Sequence, residues 1–107
     1  MKEARLSILL KYLEEEPNDP FNLYAIATEY LSESIEKSKY YFDLLLTKHA
    51  DYLATYFHAA QLYIDLEQEE KAIEIYKAGI ALAKIENNTK TQRELESAYQ
   101  NLLFEID

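Results

Sequence analysis

Two stretches of the chain repeat each other at a fixed spacing. The first reads Leu23-x2-Ile26-Ala27-x2-Tyr30, then Ser38-x3-Phe42-x2-Leu45. The second reads Tyr56-x2-Ala59-Ala60-x2-Tyr63, then Ala72-x3-Tyr76-x2-Gly79. Leu23 and Tyr56 stand 33 residues apart and Phe42 and Tyr76 stand 34 apart, so one residue is missing from the inner turn of the first copy. A repeat of this length is one supersecondary unit that cannot bury both its faces alone, so copies stack and terminal elements cap the stack. The residue types fit close packing. Small residues at Ala27, Ala59, Ala60, Ala72 and Gly79 let elements approach. Aromatics at Tyr30, Phe42, Tyr56, Tyr63 and Tyr76 fill the gaps.

The apolar period is helical nearly throughout, in six segments. The first covers about 3–16, with Leu6, Leu9, Leu10 and Leu13 on one stripe and Pro17 at its end. The second starts at Asp19-Pro20, an N-cap carboxylate followed by Pro at the first helical position, and stops near Leu31. The third follows Ser34, a second cap, to about Lys48, with Ile35, Ser38, Tyr41/Phe42 and Leu45 on its face. The fourth is expected over about 51–66 and the fifth over about 68–84. The sixth opens on Thr89-Lys90-Thr91-Gln92, the pattern of a capping box, and carries Leu95, Ala98/Tyr99, Leu102 and Ile106. The connections are short, as between antiparallel neighbours, and no segment reads as a strand.

These residues resemble the tetratricopeptide repeat (TPR) family. The second copy matches at Tyr56, Ala59, Ala60, Tyr63, Ala72, Tyr76 and Gly79, with Lys84 where the family often has Pro. The first copy departs more, with Leu45 where Ala is preferred and Ala50 at the Pro place. Leu6, Leu9, Leu13 and Pro17 are similar to the second helix of a half-repeat, although Arg5 fits it poorly. Leu95-x3-Tyr99 is similar to the start of a further first helix, with Glu96 where a small residue belongs. The run from Asp19 to Tyr30 and the helix Glu74 to Lys84 also resemble small, free-standing bacterial TPR proteins. The resemblance implies an all-α fold: a short right-handed solenoid of antiparallel hairpins, with about six helices. It is expected to be organised as a half-repeat (1–18), two repeats (19–50 and 51–84) and a capping helix (88–107).

Composition enters by exclusion. One Gly cannot build a phosphate-cradling loop, and the absence of Cys removes disulfides, thiolate nucleophiles and Cys-containing zinc sites. Eleven Lys+Arg against twenty Asp+Glu give a net charge of -9, without the basic footprint that nucleic acid or an anionic membrane surface needs. The charge suits a soluble acidic surface and would steer a basic ligand. The opening MKEARLSILLKYLEEE does not read as a signal peptide, and no apolar run is long enough to span a membrane, so a cytoplasmic location is expected.

Little in the chain points to catalysis. His49 and His58 are the two histidines, with Leu46 and Thr55 three positions before them, so the Glu-x-x-His pattern of di-iron bundles is absent. His49 falls at a helix end, where a cation suits the dipole. The acidic runs at Glu14–Glu16 and Glu67–Glu70 read as solvated helix ends, because no Gly supplies the turn of a calcium loop. No nucleophile elbow is present. The expectation is a protein that is not an enzyme and holds no cofactor or metal.

In TPR proteins the first helices of the repeats line a concave face that holds a peptide or a helix. By that resemblance the partner-binding residues are Tyr24, Thr28 and Leu31 in the first copy and Phe57, His58, Gln61, Ile64 and Asp65 in the second. The capping helix adds Arg93, Ser97 and Gln100. An equal alternative has Tyr24 and Phe57 packed on each other as core. The Lys, Asn and Arg of carboxylate-clamp TPR domains are replaced here by residues such as Tyr24, Ala25, Thr28, Phe57, His58 and Gln61. The expected function is a non-catalytic protein–protein interaction module. Self-assembly as a homodimer is the second reading, and a helical enzyme or metal protein the third.

Overall fold

The computed structural model describes residues 2–106, with side chains from residue 3 onward. Six helices follow in order: α1 (Lys2–Glu15), α2 (Pro20–Tyr30), α3 (Ile35–Lys48), α4 (Thr55–Asp65), α5 (Glu69–Ile85) and α6 (Thr89–Ile106). No strand occurs among the described residues. The fold is all-α, as the apolar period predicts. The chain forms two compact units, Met1–Thr55 and Tyr56–Asp107.

In the first unit, local chemistry sets where the helices begin. The Asp19 carboxylate accepts the Phe21 N–H at 2.9 Å, with Pro20 as the first helical residue. The Ser34 hydroxyl accepts the Lys37 N–H at 3.3 Å. Helix α2 packs against α3 and buries Leu23, Ile26, Ala27 and Tyr30, while α3 buries Ser38, Phe42 and Leu45. Ile35, expected on that face, is exposed. Ser38 is more than a small residue that lets helices approach. Its buried hydroxyl donates to the Ala27 carbonyl at 2.7 Å and ties α3 to the last turn of α2. Helix α1 lies on α2, and its Leu6, Leu9, Leu10 and Leu13 are half-buried. Arg5, the poor fit to a half-repeat, reaches out to Glu29 at 3.0 Å.

In the second unit, α5 sits between two helices that run parallel to each other. Gly79 of α5 faces Tyr56 of α4 and Leu95 of α6. One turn earlier, Tyr76 meets Gln61 of α4 and Tyr99 of α6. Moving back along α5 therefore moves forward along both neighbours. The approach at Gly79 is very close: a Cβ built there would lie 2.7 Å from the Tyr56 Cβ. The chain's one glycine is thus placed at a helix crossing and in no turn.

The helix ends differ in two ways from the sequence expectation. Helix α4 begins at Thr55, not near residue 51, because residues 50–54 form turns closed by Tyr52 N–H to His49 O (2.9 Å) and Thr55 N–H to Tyr52 O (3.3 Å). Helix α6 is capped by Asn88, whose Oδ1 accepts the Thr91 N–H at 3.0 Å; Thr89 is already helical and the Thr-x-x-Gln box is not used. Ile106, placed on the α6 stripe, is exposed.

The missing residue in the first copy also has a structural account. The turn that closes α4 passes through Glu67 at φ 60°, with Glu67 N–H bonded to Ile64 O and Gln68 N–H to Tyr63 O. Helix α2 closes instead with Glu33 and Ser34 N–H groups both on Tyr30 O, and no left-handed residue falls there. The extra residue of the second copy is the left-handed one. A glutamate in that conformation carries a Cβ penalty of about 1 kcal/mol. Glu67→Gly is therefore expected to raise the unfolding free energy by up to about 1 kcal/mol. Urea denaturation checks this, and a destabilised variant would contradict it.

Candidate functional site

A groove of about 640 Å³ lies between α4 and α6 in the second unit. Helix α4 contributes Phe57, Gln61 and Ile64, one face at helical spacing. Helix α6 contributes a parallel stripe: Arg93 and Glu94, Ser97 and Ala98, Asn101 and Leu102, then Glu105. Since the two helices run the same way, Phe57 lies toward the Arg93/Glu94 end. Ile64 and Gln61 lie toward Asn101 and Glu105. The floor is apolar at Leu102 and Ala98, and Phe57 keeps 37% of its surface exposed. Apolar surface rimmed by a few polar groups is the composition of a recognition site.

Of the residues singled out from sequence, Phe57, Gln61, Ile64, Arg93 and Ser97 line this groove. His58, Asp65 and Gln100 do not. His58 is half-buried and stands edge-on to Phe57, with ring centroids 5.8 Å apart. Asp65 is exposed at the last residue of α4, and Gln100 is exposed on α6. The first-copy residues lie in the other unit and make local contacts there. Tyr24 packs on Tyr52 at 5.9 Å, and burial pushes its phenol up, with Tyr52 adding to the shift. The Thr28 hydroxyl donates to Ala25 O at 3.0 Å, and Leu31 is half-buried beyond the end of α2.

Sequence reasoning missed Glu94, Ala98, Asn101, Leu102 and Glu105. The signal was available, because a helical stripe from Arg93 through Ser97 continues to Asn101 and Glu105 rather than to Gln100. It also missed a second role for Gln61, whose Nε2 donates to the Tyr76 hydroxyl at 2.8 Å. Tyr76 is fully buried, and burial holds its phenol well protonated. Gln61 therefore supports the core as well as lining the groove.

The electrostatics of His58 give a testable consequence. Burial pushes its imidazole below the ordinary value of about 6.5. As the pH falls, the unfolded chain takes up this proton first. The stabilising contribution is thus present above about pH 6.5 and is lost as pH falls toward the lowered folded value. The unfolding free energy is expected to fall with pH across that window, and part of the fall should vanish in His58→Gln. Identical profiles for both proteins would contradict this.

Among the described residues, no group of three or more His, Cys, Asp or Glu side chains is placed to hold a metal ion. None of their helices is long and apolar enough to cross a membrane.

The hairpin order, the small-residue crossing at Gly79 and the groove between parallel helices define a helical-repeat protein. No protein-family model and no curated protein matches the chain. Solved structures do. A tetratricopeptide repeat domain protein from Salinibacter ruber, determined in solution by NMR, is 34% identical with a TM-score of 0.77, over 81% of this chain and 89% of that one. A crystal structure of a tetratricopeptide repeat domain protein from the same organism is 34% identical with a TM-score of 0.75, over 78% and 94%. The chain belongs to the tetratricopeptide repeat family. Membership supports a protein-interaction module in general, on a fold that is typically non-catalytic.

Proposed function

We propose that this protein is a non-catalytic interaction module that holds a peptide or helix of a partner protein in the groove between α4 and α6, on the concave face of its repeats. The observation that carries this reading is the groove itself: about 640 Å³, open, with an exposed Phe57 at its wall. Exposed aromatics in a concave setting are frequent anchors of binding energy. In this reading the chain comprises a half-repeat (1–18), repeats at 19–50 and 51–84, and a cap at 88–107. It acts in the cytoplasm, and the net charge of -9 favours a basic partner.

The test is affinity capture from the source cell with wild type against Phe57→Ala plus Arg93→Ala. Both residues are exposed, so the fold should survive. Gln61 is left alone because its loss would strip the buried Tyr76 hydroxyl of its partner. At least one partner captured by wild type is expected to be lost from the variant. Equal capture of every protein would overturn the groove reading.

A second reading, self-assembly, is favoured by the exposed end of α6, where Phe104 retains 89% and Ile106 41% of its surface. Light scattering at high micromolar concentration decides it, since a monomer removes this reading.

A further inference from the structure

We infer that the Glu105 end of the groove is a seat for a cationic side chain, a lysine or arginine on a partner segment whose apolar residues lie over Phe57 and Ile64. This rests on the groove reading above and adds the chemistry of its occupant.

Three features of that end point the same way. One Gln61 side-chain N–H donates to the Tyr76 hydroxyl at 2.8 Å, which fixes the amide, and its carbonyl oxygen is an acceptor for a cation. Glu105 lines the same groove as Gln61, and its carboxylate adds to the upward push that burial gives the Tyr76 phenol, the group that Gln61 holds. Arg93 is the cation among the described lining residues, and it stands about 18 Å away along α6, beside Glu94. The Glu105 end thus presents a carboxylate and an amide carbonyl, and the lining cation stands at the other end. Such a site is complementary to an ammonium or guanidinium group and repels a carboxylate.

The rest of the molecule agrees. A net charge of -9 draws a basic segment in and disfavours a second copy of this chain as the occupant. From Glu94 to Glu105 the groove runs about 16 Å, enough for about five residues of extended peptide or three turns of helix.

Selection from a random twelve-residue peptide display library against the immobilised full chain, at physiological salt, tests this. The enriched peptides are expected to share a Lys or Arg at a fixed distance from one or two large apolar residues. A synthetic representative should bind Glu105→Gln about five- to tenfold more weakly than wild type. It should bind Glu74→Gln, which makes the same charge change on an exposed surface of α5, about as well as wild type. Peptides that need Phe57 but carry no shared cation, or that ignore Glu105, would overturn the cationic seat and leave the groove reading standing. Enrichment of acidic peptides would overturn it as well. If no enriched peptide loses binding to Phe57→Ala, both readings fall.

Discussion

Replacing Gly79 with alanine is expected to destabilise the protein by about 2 kcal/mol, although alanine is the better helix former by about 1 kcal/mol. The added Cβ would sit 2.7 Å from the Tyr56 Cβ and 3.0 Å from the Leu95 Cδ1. The leucine methyl is the end of a flexible side chain and can turn away. The tyrosine Cβ is fixed to its backbone, so relief requires α4 and α5 to separate. That movement opens contacts around Ala59, Tyr63, Ala72 and Tyr76, all buried. Shortening Tyr56 to alanine keeps its Cβ and therefore should not rescue the variant, whereas an ordinary crowding of side chains would be rescued. Gly79→Val should cost more, about 3–4 kcal/mol. Urea denaturation of Gly79→Ala, Gly79→Val, Tyr56→Ala and the Gly79→Ala/Tyr56→Ala pair measures all of this. A Gly79→Ala protein as stable as wild type would show that the crossing is looser than described.

Phe42→Ala is expected to cost about 3–5 kcal/mol, a large share of the 5–15 kcal/mol that holds a domain together. Phe42 is fully buried on α3, as are Ile26, Ala27 and Leu45 of the same unit. Truncation removes the ring's burial and leaves a void that a close-packed helix pair fills only partly. Phe42→Leu should recover more than half of the loss, because it restores most of the volume. A loss under about 1 kcal/mol for Phe42→Ala, measured by the same denaturation, would mean the α2–α3 interface does not depend on it.

What the sequence made legible was whatever depends on local chemistry or on period. Asp19-Pro20 and Ser34 cap their helices with their own side chains, so both starts could be read directly. The repeat located Gly79 in a helix and assigned Ala27, Ala59, Ala60 and Ala72 to the packed face, where they are fully buried. The misreadings came where two local options compete. Apolar period continues through Tyr52 and Leu53, both half-buried, so it disguises the turn before α4. Asn88 and Thr89 are both good caps, and the geometry of the preceding turn, closed by Asn88 N–H on Ala83 O, decides for Asn88. Glu67 gives no sign of its left-handed backbone, because that conformation is imposed by the helix closure around it.

The groove was legible in part for the same reason. Phe57, Ile64, Arg93 and Ser97 follow from the resemblance to TPR proteins, which picks out the helices, and from helical spacing, which picks out the face. The link between Gln61 and Tyr76 joins two helices across fifteen positions and has no signature along the chain. Glu105 drew no notice among twenty acidic residues, and its distinction is purely one of place. Of the described residues, two carboxylates line the groove, Glu94 next to Arg93 and Glu105 at the far end, and Glu105 is the one set apart from the lining cation.

The proposed role of this chain is to hold a partner segment between α4 and α6. The most direct measurement is the two-dimensional amide spectrum of the isotopically labelled full chain, titrated with a selected peptide. The shifts are expected to concentrate at residues 57–64 and 93–105 and to disappear in Phe57→Ala. Saturable shifts confined to other surfaces, with residues 57–64 and 93–105 unmoved, would contradict it.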